Sequence, residues 1–177
     1  MLNEDYKDML QSLLDNEVKF LIVGAYALAA YGYPRATGDF DIWVETSPEN
    51  SKKILFSLIS FGASTSGLTE ITFMQKGIIF QIGVAPCRID LITHIDGVDF
   101  DDAYPSRKII VMEGLNLPFI SKENLIKNHR YEPQSVICGS YPPLRGIVQL
   151  TNSNTLCFPH WSFTIKNQLE EIKIALT

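Results

Sequence analysis

The chain is poor in the residues that staple small domains together. Its three cysteines, Cys87, Cys138 and Cys157, lie far apart and form no C-x-x-C pair. That argues against a disulfide scaffold. The expectation is three reduced thiols packed as small hydrophobes in a reducing cytosol. Its three histidines, His94, His129 and His160, show neither H-x-x-H nor H-x-x-x-H spacing, which argues against a histidine zinc site. No apolar run approaches the ~20 residues that a membrane-spanning helix needs. The first fourteen residues mix Asn3, Glu4, Asp5, Lys7 and Asp8 with apolar ones, unlike a signal peptide. A soluble cytoplasmic protein without membrane contact is expected. Positive charge is also short: 20 Asp and Glu face 15 Lys and Arg, a formal net charge of −5. The global basic footprint of an extended nucleic-acid binder is therefore missing.

What is present suits an ordinary globular domain. Hydrophobic residues make up 46% of the 177 residues and charged ones 20%, enough length and apolar content to bury a core. The charge is uneven. Residues 1–130 hold 17 acids and 12 bases, whereas residues 131–177 hold three of each. Between Tyr131 and Gln168 only Glu132, Arg145 and Lys166 are charged, in a stretch rich in Pro, Ser, Asn and aromatics. The division expected is a domain over 1–130 and an atypical C-terminal extension of unknown role over 131–177.

Periodicity predicts alternating helices and strands in the first unit. Met9, Leu10, Leu13 and Leu14 fall at helical spacing within 3–16. Lys19–Val23 reads as a buried strand ended by Gly24, and Ala25–Tyr31 as a helix stopped by Gly32 and Pro34. Phe40–Val44 is strand-like. Ser47 as N-cap and Pro48 at the first helical position open a helix to Phe61. Glu70–Met74 reads as a weak strand, Ile78–Ile82 and Arg88–Thr93 as stronger ones, and Asp99–Tyr104 as one or two helical turns. Lys108–Met112 and Leu115–Ile120 flank Glu113-Gly114, a hairpin turn. Ser121 and Asn124 open a closing helix over Lys122–Arg130. In the extension, Ile147–Leu150 and Trp161–Ile165 read as strands and Asn167–Leu176 as a short helix. The sum is an α/β or α+β domain, a mixed β-sheet flanked by helices.

Asp39-Phe40-Asp41 is the sharpest chemical feature. Residues i and i+2 of a strand share a face, which sets both carboxylates on one side, ~6–7 Å apart at Cα, with Phe40 and Ile42 on the other. Like charges so placed repel unless a cation lies between them, and carboxylate oxygens favour hard cations such as Mg²⁺. A bare D-x-D is common by chance and more often marks a solvated strand edge or a turn with two acids. Gly24 stands where a strand turns into a helix, which can let a phosphate approach backbone N–H groups or can simply serve the turn. Asp90 sits between apolar Ile89 and Leu91, where a carboxylate needs a partner. That partner is a metal, or else Arg88 or Arg35.

Together these features resemble the polymerase-β-like nucleotidyltransferase superfamily, whose signature is a Gly-Gly or Gly-Ser turn, a D-x-D pair and a third acid on a neighbouring strand. Here the elements are Gly24-Ala25, Asp39-x-Asp41 and Asp90. The longer segments Phe20–Ala27, Gly32–Trp43, Gln81–Val84, Arg88–Leu91 and Leu117–Ile120 are similar to small bacterial and archaeal nucleotidyltransferase-fold proteins, a subgroup of uncharacterised domains, over about 15–130. The resemblance implies the nucleotidyltransferase fold and transfer of a nucleoside monophosphate from a nucleoside triphosphate. Asp39, Asp41 and Asp90 would be the catalytic residues and hold Mg²⁺ or Mn²⁺. Gly24, Ala25, Arg35, Thr37 and Lys127 would serve nucleotide binding. The acceptor stays open between a protein side chain, a tRNA end and a small molecule, and a toxin–antitoxin pairing with a cognate protein is implied for the group. Two departures stand out. Ala25 offers no hydroxyl where the family has glycine or serine. After Arg130, the basic segment and final helix of the relatives give way to a different tail, either lineage-specific or the product of a shifted reading frame. A nucleotide-binding partner with weak or no catalysis, and a metal-dependent phosphohydrolase, are the alternatives.

Overall fold

The computed structural model describes residues 2–131 and 147–149. Among the described residues, seven strands form one sheet: β1 (Phe20–Ile22), β2 (Asp39–Val44), β3 (Ile79–Ile82), β4 (Arg88–Ile92), β5 (Lys108–Met112), β6 (Leu115–Phe119) and β7 (Ile147–Gln149). Their spatial order is β5-β6-β1-β2-β4-β3-β7. Pairings β1–β6, β2–β4 and β3–β7 are parallel, and β1–β2, β3–β4 and β5–β6 antiparallel. The helices are α1 (Glu4–Asp15), α2 (Gly24–Ala30), α3 (Pro48–Phe61), α4 (Phe100–Ala103) and α5 (Lys122–Tyr131). The architecture is the mixed α/β sheet flanked by helices that the periodicity predicts.

The strand alternation decides which face each residue joins. Phe40, Ile42 and Val44 of β2 and Ile89 and Leu91 of β4 are buried on one face. Burying each such side chain stabilises the fold by about 1.5–3 kcal/mol. The parallel register sets Phe40 beside Ile89 and Ile42 beside Leu91, so the alternate residues, Asp39, Asp41 and Asp90, share the opposite face. Tyr6 of α1 and Tyr26 of α2 pack on the Phe40 ring, with centroids 4.9 and 4.5 Å away.

Local signals explain the element ends. Ser47 Oγ accepts from the Asn50 N–H at 3.2 Å, as its N-cap position predicts. Glu113 and Gly114 both take positive φ, 49° and 83°, between strands in register from Met112–Leu115 outward. That is the two-residue hairpin turn whose twist matches the flanking strands. The expected closing helix forms, and Ser121 Oγ accepts from Asn124 N–H at 3.3 Å. Asp99–Tyr104 resolves into α4 followed by a 3₁₀ turn at Tyr104–Ser106.

One expectation fails. Glu70–Met74 is not a strand; Thr72–Met74 is a 3₁₀ turn. Only Phe73 of this segment is buried, edge-on to Phe80 at 5.9 Å, while Ile71 is exposed. A single anchoring ring with no strand edge to pair against favours a turn over a ladder. In the extension, β7 covers Ile147–Gln149 of the strand expected over Ile147–Leu150. The strand expected at Trp161–Ile165, the helix at Asn167–Leu176, and Cys138, Cys157 and His160 lie outside the described residues. Cys87 is half-buried. Among the described residues no helix is long and apolar enough to cross a membrane.

Asn50 ties three elements together. Its Oδ1 accepts from Lys19 N–H at 2.8 Å, and its Nδ2 donates to the Lys19 and Glu45 carbonyls at 3.0 Å each. It thereby clamps the entry of β1 and the exit of β2 to the start of α3. Asn50→Ala is expected to cost about 2–4 kcal/mol in urea unfolding, because buried backbone groups lose their partners. Asn50→Asp should not rescue it, since the carboxylate would set an oxygen against two carbonyls.

Candidate functional site

The site is built by the β2–β4 register. Asp41 lies directly beside Asp90, and Asp39 directly beside Arg88. One carboxylate oxygen from each of Asp39, Asp41 and Asp90 lies within 4.8 Å of the others. Asp90 is 4% exposed, and Asp39 and Asp41 are half-buried.

The turn from β1 into α2 is shaped around one of these acids. Gly24 has φ +62°, and a Cβ on it would lie 2.0 Å from Asp41 Oδ2. Any side chain here meets both the left-handed backbone and the carboxylate. Asp41 is further held through its backbone, whose carbonyl accepts from Val23 N–H at 3.1 Å.

The three carboxylates are held unequally. Arg88 Nη2 donates to Asp39 Oδ2 at 2.6 Å and to Asp90 Oδ2 at 3.0 Å, and Arg88 Nε donates to Asp90 Oδ1 at 2.7 Å. Gln81, opposite Asp90 on β3, donates from Nε2 to Asp90 Oδ2 at 3.2 Å. The Thr37 hydroxyl donates to Asp39 Oδ1. Among the described residues no donor reaches the Asp41 carboxylate. Burial pushes the Asp41 pKa up to about 7, helped by the charges of Asp39 and Asp90 and opposed by Arg88 and Arg35. Burial also raises Asp90, against the hydrogen bond and charge of Arg88. Arg88 itself is held more firmly protonated, chiefly by its hydrogen bond to Asp90.

The residues expected to form the site separate into three groups. Asp39, Asp41, Asp90, Gly24 and Thr37 come together. Arg35 is exposed and acts on Asp41 through its charge, while buried Ala25 continues the turn without a hydroxyl. Lys127 is exposed on α5 and has no hydrogen bond or ion pair to the acids. Of the partners expected for Asp90, Arg88 forms the ion pair, Arg35 makes none with it among the described residues, and the three acids stand close enough to hold a cation. Gln81 and Tyr6 were not foreseen as supports. Tyr6 Oη donates to the Pro86 and Arg88 carbonyls at 3.2 and 3.4 Å, fixing the chain as it enters β4. A polar residue in the apolar run Ile79-Phe80-Gln81-Ile82 was the available signal for Gln81; nothing local marks Tyr6.

Chemically the arrangement suits a hard divalent cation. Three carboxylates supply anionic oxygen donors of the kind Mg²⁺ and Mn²⁺ prefer. A nitrogen of a cationic group already bridges two of them, and burial raises the third toward neutrality.

Two outcomes follow. An aspartate in an unfolded chain titrates near ~3.9, whereas Asp41 does so at about 7. Between these values the folded protein binds a proton the unfolded chain has lost, so this group's contribution to stability is full below about pH 4 and falls as the pH rises through 7. Thermal melts without metal should therefore show wild type losing more stability than Asp41→Asn across this range, and Mg²⁺ should restore wild type more at the alkaline end. Gly24→Ala should cost at least about 2 kcal/mol in urea unfolding. That loss should shrink in an Asp41→Ala background, where the contact is gone.

The comparisons with known proteins are sparse. No protein-family model and no curated protein matches the chain. Among solved structures, it is similar to a provisionally named nucleotidyltransferase from Thermotoga maritima, with a TM-score of 0.48, 14% identity, and coverage of 73% of this chain and 86% of that one. At that score and identity the likeness assigns neither family nor activity to this chain.

Proposed function

We propose that this chain is a metal-dependent nucleotidyltransferase, moving a nucleoside monophosphate from a nucleoside triphosphate to an acceptor that is a protein side chain, a tRNA end or a small molecule. The observation that carries the reading is the meeting of Asp39, Asp41 and Asp90 across two parallel strands, beside a strand-to-helix turn whose glycine is shaped around Asp41. In this reading residues 1–130 are the working domain, with the nucleotidyltransferase fold, and residues 131–177 are an appended segment. A cognate partner of the toxin–antitoxin kind is the cellular setting the sequence resemblance implies.

Asp39 and Asp41 would hold Mg²⁺ or Mn²⁺, and Asp90 would complete the ligand set. Such a cation, when bound, neutralises the triphosphate and the charge on the attacking and leaving oxygens. Gly24 and Ala25 leave backbone room for phosphate, Arg35 supplies positive charge at the rim, and Thr37 orients Asp39. Lys127 would reach the nucleotide from α5. An acceptor oxygen bonds to the α-phosphorus as the bond to the bridging oxygen breaks and pyrophosphate leaves. The acceptor's proton passes to the Asp90 carboxylate, which accepts it only once the Arg88 hydrogen bonds are released.

A second reading is a nucleotide-binding module without turnover. The pairing of Arg88 with two of the three acids favours it, because it holds the proposed base in an ion pair.

The test is incubation of purified protein with α-labelled triphosphates, Mg²⁺ and cell lysate. Label on an acceptor is expected, with loss of about 10²-fold or more for Asp39→Asn, Asp41→Asn or Asp90→Asn. Mg²⁺-dependent nucleotide binding without labelling supports the second reading. Free labelled nucleoside mono- or diphosphate alone means hydrolysis. No nucleotide binding, or binding indifferent to all three substitutions, removes the proposal.

A further inference from the structure

Arg88 bridges two of the three carboxylates. Its Nη2 lies 2.6 Å from Asp39 Oδ2 and 3.0 Å from Asp90 Oδ2, joining carboxylates from two strands, and its Nε closes a second bond to Asp90 at 2.7 Å. The arrangement is too well formed for a passing surface contact. Asp90 is buried, and the Arg88 and Asp39 side chains are each only about a quarter exposed (26% and 28%). The backbone beneath Arg88 is pinned by Tyr6. Charge-assisted bonds of this length to a two-pronged guanidinium are the strong kind. All of Arg88's carboxylate bonds go to two of the three acids, leaving Asp41 without a donor.

We propose that Arg88 is a built-in counter-cation that competes with the divalent metal for Asp39 and Asp90, so that the site binds metal only as Arg88 lets go. The inference rests on the reading that the three acids form a metal site. Three carboxylates packed this closely repel, and Arg88 relieves the repulsion where it reaches. The same contact uses the lone pairs a metal would need, and it adds a positive charge beside the incoming one. Asp41, to which no donor among the described residues extends, is the carboxylate with no hydrogen bond to break. Arg88 must then swing off Asp90 and Asp39 before the ligand set is complete. Gln81 remains on Asp90 Oδ2 and keeps that carboxylate in place during the exchange. Arg88 is thus a regulating residue for metal occupancy, distinct from the ligands themselves.

The test is Mn²⁺ titration of the full chain without nucleotide, followed by the electron paramagnetic resonance of free Mn²⁺, at mildly alkaline pH. Arg88→Gln, which keeps a donor amide but removes the charge, is expected to bind Mn²⁺ about tenfold tighter than wild type. Equal or weaker binding by Arg88→Gln overturns the proposal while leaving the metal site standing. Failure of both proteins to bind Mn²⁺ overturns the metal reading and the proposal with it. Melting curves with and without Mn²⁺ report whether Arg88→Gln folds. Should it not, wild type carries the test: its Arg88 Nε–H, bonded to Asp90, should give a slowly exchanging ¹⁵N-coupled resonance that is lost as Mg²⁺ saturates the site. A resonance unmoved while Mg²⁺ binds overturns the proposal.

Discussion

Repulsion among three carboxylates is the constraint the structure is built around. At 4.8 Å two such charges repel by about 3–4 kcal/mol at an effective dielectric of ~20. A group of that kind persists only where stronger forces fix its backbone and something offsets its charge. Three forms of relief exist: a resident cationic side chain, a bound proton and a bound metal. The molecule uses the first between Asp39 and Asp90, through Arg88. It leans toward the second at Asp41, whose pKa is pushed up to about 7. The third suits the donor set. The unequal treatment of the three acids follows from where the guanidinium reaches.

The forces that fix the backbone lie on the other face of the same strands. Phe40, Ile42, Ile89 and Leu91 are almost wholly buried, at 1% exposure or less. Because side chains alternate, the register that seats them also sets Asp41 beside Asp90. A slip of one residue would turn the acids into the core and the hydrophobes to the site. The apolar face therefore enforces the acid geometry with energy that the acid face does not supply. Tyr6 and Tyr26 thicken that support beneath Phe40, and Gly24 removes the one side chain that would push Asp41 out of line.

What could be read in the sequence was whatever local chemistry determines. The D-x-D pair, the Ser47-Pro48 helix start and the Glu113-Gly114 turn each rest on neighbours within a few residues, and each appears as expected. The segment Glu70–Met74 misled because its composition allows a strand while its surroundings supply only one pocket, for Phe73. Gln81 was hidden for a different reason. Its role depends on the antiparallel pairing that sets it against Asp90, and only the assembled sheet fixes that pairing. Arg88 was legible in half. Its reach to Asp90 is an i, i+2 relation within one strand, whereas its reach to Asp39 crosses to another. Lys127 was chosen for charge alone, and position in the fold gives it no contact with the acids.

That half-read arginine decides what kind of site this is. The three hydrogen bonds that Asp90 accepts from Arg88 and Gln81 favour its charged form and oppose the burial that raises its pKa. On the proposed reading, proton transfer to Asp90 and completion of a metal site both require the same event, departure of Arg88. A ligand that stabilises only the departed state shifts the balance by its difference in affinity between the two arrangements and by nothing more. A divalent cation alone must win that difference against a charged, partly buried ion pair. A cation that arrives with a polyanion adds a second source of free energy, since phosphate oxygens offer a guanidinium bonds equivalent to those it gives up. Binding of metal and of polyanion to such a site is then mutually reinforcing by linkage. The ion pair that makes the resting site look inert is compatible with chemistry that starts only when both are present.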